Sequence, residues 1–92
     1  MSPILITPGD PLGIGPEVTA KALAKQGRNL RDYCVVGDSA AFIAAAASQG
    51  LPLSELVVLQ PPKGEPVEVA AIRQAVDMIR RGEGSALVTG PI

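Results

Sequence analysis

The chain has 92 residues, 47% of them hydrophobic and 2% aromatic, and its eight Lys and Arg against nine Asp and Glu leave a net charge of −1. Such a length holds one small domain, and the near-neutral balance with Tyr33 and Phe42 as the sole aromatics excludes a basic nucleic-acid face, an anionic-membrane patch and a row of base-stacking rings. The absence of His and the single Cys34 exclude an intrachain disulfide and any Cys/His metal cage within these residues. Met1–Thr7 has no basic leader, and Pro3 and Pro8 bracket an apolar run too short for a signal peptide. No apolar stretch approaches the roughly 20 residues of a membrane span. A cytoplasmic setting is therefore expected.

The first element in chain order is Ile4–Thr7, a continuous apolar run of the kind that parallel strands show when helices cover both faces. A helix follows, opening at Gly15-Pro16-Glu17 with Pro in the first turn and a carboxylate near the positive helix end, and stopping at Gly27. Tyr33–Val36 reads as the second strand. Gly37-Asp38-Ser39 then starts a second helix, capped by Asp38 or Ser39, that ends near Gly50-Leu51-Pro52. Leu56–Leu59 is the third strand and Gln60–Glu65, with Pro61, Pro62 and Gly64, the loop after it. The third helix carries Val69, Ile72, Val76 and Ile79 as one apolar stripe, which predicts its core face or part of a subunit contact, and Gly82 stops it. Ala86–Thr89 closes the series. The order β-α-β-α-β-α-β predicts an α/β fold with a mostly parallel, doubly wound sheet and no internal boundary over residues 1–92.

The richest segment is Thr7-Pro8-Gly9-Asp10-Pro11-Leu12-Gly13-Ile14-Gly15-Pro16-Glu17. It leaves the carboxyl end of a strand and feeds a helix, the place where open α/β sheets bind ligands. Gly9, Gly13 and Gly15 allow positive φ and close backbone approach, while Pro8, Pro11 and Pro16 stiffen the loop. It is neither of two common nucleotide motifs. The dinucleotide fingerprint needs Gly or Ala where Val18 stands, and no Gly-Lys-Ser/Thr follows as a P-loop would require. A tight strand-to-helix connection with special dihedrals explains the composition equally well.

The string ITPGDPLGIGPE resembles the opening of the 4-hydroxythreonine-4-phosphate dehydrogenase family, NAD-dependent enzymes of pyridoxal phosphate biosynthesis. Leu87-Val88-Thr89-Gly90-Pro91-Ile92 resembles the second signature of the same family, in the expected order after a strand. Gly13–Val18 also resembles the cofactor loop of isopropylmalate and isocitrate dehydrogenases, which share the family's architecture. The resemblance implies an N-terminal portion of a larger two-domain dehydrogenase with an isopropylmalate-dehydrogenase-like fold. It places Gly9, Asp10, Gly13, Ile14 and Gly15 beside NAD, with Ile14 as an apolar wall, and Thr89, Gly90 and Pro91 beside the substrate. A valine at Gly13 or Gly15 is then expected to raise the NAD KM more than it lowers stability. Two departures stand out. Leu12 replaces a usual small Ala, and the Gln60–Glu65 connection is short; the second leaves the substrate open between 4-phosphohydroxy-L-threonine, a related sugar-acid phosphate and the cyclic dihydrodiols that related members act on.

Family members oxidise the alcohol and then decarboxylate, with a divalent metal (Zn, Mg or Co) held by histidines. The resemblance puts those histidines, and a Lys after the Thr-Gly-Pro-Ile string, beyond residue 92. It also implies a homodimer, with neither nucleic acid nor membrane as partner. Ala86–Thr89 reads as a buried strand that stops within a Gly-Pro turn, which points to a truncated chain that is inactive alone. The alternative is a small stand-alone α/β module that binds a nucleotide or phosphate without catalysis. Asp10 orients a ribose or an amide, or closes an Asx turn. Asp38 binds ribose or caps a helix. Cys34 reads as an inert core thiol, and Arg80 and Arg81 complement a helix C-terminus.

Overall fold

A computed structural model describes residues 2–26 and 29–90. Four strands, β1 (Ile4–Thr7), β2 (Tyr33–Val36), β3 (Val57–Leu59) and β4 (Ala86–Thr89), alternate with three helices, α1 (Gly15–Lys25), α2 (Ser39–Ser48) and α3 (Val67–Arg80). Short 3-10 turns at Leu30–Asp32 and Leu53–Glu55 lead into β2 and β3. Leu56, expected in the third strand, instead closes the second of these turns with its amide on the Leu53 carbonyl, while its side chain is buried. The expected stop of the first helix at Gly27 lies outside the described residues.

All pairings are parallel and the strand order is β3-β2-β1-β4. The chain moves outward from β1 to β3 and then crosses back to β1's other side. With right-handed crossovers, that reversal puts α1 and α2 on one face and α3 on the other. The two cores obey it. Ala20, Leu23, Val35, Phe42 and Ala46 pack together on the α1–α2 face, joined by Leu30 and Leu56. Leu5, Cys34, Val36, Ala71, Ala75 and Met78 pack on the α3 face. Neighbours along each strand point to opposite faces, so Leu5 and Ile6 serve different cores, and both faces must be apolar.

The helix ends follow from local chemistry. Asp38 caps α2, its Oδ1 accepting from the Ala41 amide at 2.9 Å. At the far end, Gly50 takes φ +69, with its amide on the Ala47 carbonyl and the Leu51 amide on that of Ala46. Gly82 (φ +77) ends α3 in the same way, with Gly82 bonded to Ile79 and Glu83 to Met78. Both are Schellman endings, in which a left-handed residue folds the last amides back onto otherwise orphaned carbonyls.

A second expectation is corrected. The Val69–Ile72–Val76–Ile79 stripe is not the core face of α3: Val69 is 42% exposed, Ile72 and Val76 are half-buried, and only Ile79 packs against the α3-side core. The buried positions are Ala70, Ala71, Ala75 and Met78. Alanines let the helix backbone close on the sheet, whereas the larger valines, one position round the helix, stay at the rim. Accordingly Ala75→Val should cost about 1–3 kcal/mol by overpacking. Val69→Thr, at the rim, should change the urea midpoint little, and equal losses from both substitutions would contradict this packing.

Candidate functional site

Because the order reverses at β1, the carboxyl ends of β1 and β4 lie side by side, at the kind of position where doubly wound sheets bind ligands. Thr7 and Thr89 are register partners there, and the Gly90 amide donates to the Thr7 carbonyl at 2.7 Å. The two motifs, separated by most of the sequence, therefore converge on one rim. Gly9, Asp10, Gly13, Ile14 and Gly15 all belong to the β1–α1 side of it, and Thr89 and Gly90 to the β4 side. Pro91 lies outside the described residues.

The loop is held by its own short bonds. Gly9 turns the chain at φ +92, a conformation that L side chains rarely adopt. Asp10 closes an Asx turn, its Oδ1 accepting from the Leu12 amide at 2.9 Å, and its carbonyl accepts from the Gly13 amide at 3.0 Å. The structural role that the sequence allowed for Asp10 is thus filled. Leu12 is 95% exposed and Ile14 66% exposed, so the outer side of the loop presents apolar surface. Pro16 brings no amide to the start of α1 and Glu17 adds a negative charge, so this helix end is a weak host for a phosphate.

The three loop glycines differ. Gly13 and Gly15 do not take positive φ, contrary to expectation. A Cβ on Gly13 would meet only Asp10, at 3.4 Å from its carbonyl oxygen, so this position offers open backbone to a ligand. A Cβ on Gly15 would stand 2.8 Å from the Pro8 carbonyl carbon and nearer still to its oxygen. Gly15 is therefore a packing requirement, and a valine there breaks the fold before it reports on a cofactor. Gly90 meets the same Pro8 peptide, its Cβ position also 2.8 Å from the carbonyl carbon. Sequence reasoning missed Pro8 as the meeting point; Gly15, Gly37 and Gly90, each at or next to a strand or helix end and each facing Pro8, were the available signal.

Several other polar groups have local structural roles. Asp38 is a helix cap. Gln60, not singled out from the sequence, ties the end of β3 to α2, its Oε1 accepting from the Ser39 amide at 2.8 Å and hydroxyl at 3.0 Å. Arg73 pairs with Glu65 at 2.9 Å and Arg81 with Glu83 at 3.2 Å, both at the surface and worth little to stability. Arg80 lines a shallow outer hollow on α3 with Val69 and Val76. A second hollow, between α3 and the Gln60–Glu65 connection, also lies away from the glycine loop. The Thr7 hydroxyl is buried without a hydrogen-bond partner among the described residues. Burial pushes the Cys34 thiol up to about 11, leaving it unreactive at neutral pH. No three His, Cys, Asp or Glu side chains among the described residues come together to hold a metal ion, so a divalent metal does not fit the residues present.

No protein-family model matches the chain. A curated protein from Zymomonas mobilis is 32% identical over 117 aligned positions, spanning all of this chain and 35% of its own length. One from Methylorubrum populi is 33% identical over 120 positions, spanning 98% of this chain and 34% of its own. Both are named 4-hydroxythreonine-4-phosphate dehydrogenase. The chain's sequence relatives are 4-hydroxythreonine-4-phosphate dehydrogenases. It spans about a third of the length of those it matches, and it is shorter than they are within the matched stretch. A solved structure from Salmonella typhimurium, described as such a dehydrogenase, superposes with a TM-score of 0.77 over 99% of this chain and 38% of its own. At 24% identity that likeness speaks to fold alone, and it agrees with the parallel α/β architecture expected from the element order.

Gly13→Ala should leave stability unchanged or raise it by up to about 1 kcal/mol, whereas Gly15→Ala should lower it measurably in urea titrations; the reverse order would contradict the packing at Pro8. Native Cys34 should resist thiol reagents at neutral pH until the chain unfolds. Because the folded thiol ionises near 11 and the unfolded one near 9.0, stability should fall as pH rises between those values.

Proposed function

We propose that this chain supplies part of the cofactor cradle and one wall of the substrate site of an NAD-dependent dehydrogenase. The substrate is 4-phosphohydroxy-L-threonine or a related sugar-acid phosphate, oxidised at its secondary alcohol and then decarboxylated in pyridoxal phosphate biosynthesis. The observation that carries this reading is the convergence of the glycine loop and the Thr89–Gly90 turn on one rim of the sheet, joined by the Gly90-to-Thr7 bond. The names of the relatives support it.

NAD, when bound, accepts the hydride. The chain's own residues bind and position. The exposed Ile14 side chain offers an apolar wall to a planar ring, and the backbone at Gly13 lies open to close approach. Asp10 shapes the loop through its Asx turn, so its part in nucleotide binding is to hold the amides in place. Thr89, exposed on the neighbouring strand, offers a hydroxyl to the substrate. No step is assigned here to a metal, since the described residues do not form a site for one. Homodimeric assembly and a cytoplasmic setting belong to the same proposal.

The test is direct. In a ¹⁵N-labelled sample of the 92-residue chain, NAD⁺ should shift the Gly9, Leu12 and Gly13 amides. The same chain with NAD⁺, divalent metal and 4-phosphohydroxy-L-threonine should form no NADH. Shifts confined to the α3 hollows would remove the cradle role, and NADH formation would overturn the expected inactivity.

A further inference from the structure

We propose that the Pro8 peptide is a positioning element, clamped by Gly15, Gly37 and Gly90, that fixes the spacing between the nucleotide-facing loop and the Thr89–Gly90 turn. The start of α1, the end of β2 and the end of β4 all reach this one residue. Gly15 and Gly90 both face its carbonyl so closely that a Cβ on either would overlap it. Gly37 stands against its ring, where a Cβ would lie 3.1 Å from Cδ. Beyond these contacts the Gly90 amide holds the preceding carbonyl, that of Thr7, at 2.7 Å. The pyrrolidine ring fixes φ of Pro8 near the proline value, and Gly9 then turns at φ +92 toward Asp10 and the Leu12 and Gly13 amides.

The glycines have no side chain to rotate aside. Displacement of the β4 turn therefore has to pass through Pro8 to the loop instead of being absorbed by a rotamer change. Elsewhere in the same strand connection the situation differs. Gly84, just before β4, also stands close to a neighbour, but that neighbour is the Leu5 side chain in the α3-side core, 2.7 Å from the position of a Cβ. A methyl group at Gly84 presses on side-chain packing at the amino end of the strands, which costs stability and leaves the Pro8 backbone uncontacted.

This contrast sets the experiment, which leans on the nucleotide reading only for its ligand arm. Gly90→Ala, Gly37→Ala and Gly84→Ala are made in the 92-residue chain, and amide spectra, thermal midpoints and NAD⁺ titrations are compared. Gly90→Ala should move the Gly9, Leu12 and Gly13 amides before any ligand is added and weaken NAD⁺ binding about tenfold, the scale expected for misplacement of a binding group by a fraction of an ångström. Gly37→Ala, a milder intrusion, should shift the same amides less. Gly84→Ala should lower the midpoint while leaving those amides and NAD⁺ affinity as in the unsubstituted chain. Loss of stability in Gly90→Ala and Gly37→Ala with loop amides unmoved would overturn the proposal. If Gly90→Ala does not fold, Gly37→Ala decides on the same readouts. If the unsubstituted chain shows no NAD⁺ shift, the nucleotide reading fails, while the ligand-free displacement of the loop amides still decides whether Pro8 couples the two turns.

Discussion

The rest of the rim depends on a contact between backbones: Gly15 and Gly90 against the carbonyl of Pro8. Strand pairing brings Thr89 beside Thr7, but pairing alone does not say how the two chains leave the sheet. The absence of side chains at 15 and 90 allows α1 to begin, and β4 to end, directly against the first loop. The apolar cores on the two faces hold the strands that carry these turns, and the Asx turn at Asp10 shapes what lies beyond. Sheet, crossing and loop form one chain of causes.

That hierarchy explains why some glycines here are about space and others about conformation. Gly50 and Gly82 supply left-handed φ at helix ends and have nothing within 4 Å of a would-be Cβ. Gly15 is helical and would be unremarkable by dihedral, yet it tolerates no side chain. Composition cannot separate these uses, because both appear as a glycine next to a helix boundary. Gly13 belongs to neither group and is the loop position most open to a ligand or to substitution.

Much of the fold was legible because each strand is a continuous apolar run and each helix carries an end signal, with Asp38 and Gly82 acting as read. The order of elements gave parallel strands, and the reversal at β1 follows from placing helices on both faces. The α3 face was misread because periodicity was weighted by side-chain size: Val69, Ile72 and Val76 look more hydrophobic than Ala71 and Ala75, yet close helix-to-sheet approach favours the smaller residues. At the site, the motif glycines stand out in the sequence, while the meeting of Gly15, Gly37 and Gly90 on Pro8 and the role of Gln60 do not. Their partners are distant in sequence, and nothing local in Gln60 announces a bond to Ser39.

The two outer strands of the sheet share a feature with practical weight. Val57 on β3 and Val88 on β4 are 55% and 54% exposed, each on a strand that has a neighbour on one side only among the described residues. An outer strand carries a row of unspent amides and carbonyls, and neither Lys nor Pro interrupts Val57–Leu59 or Ala86–Thr89 to blunt it. Prepared as an isolated 92-residue polypeptide, the molecule carries a colloidal liability at both margins of its sheet. A lysine at Val57 or Val88 is the device by which natural sheets blunt such margins.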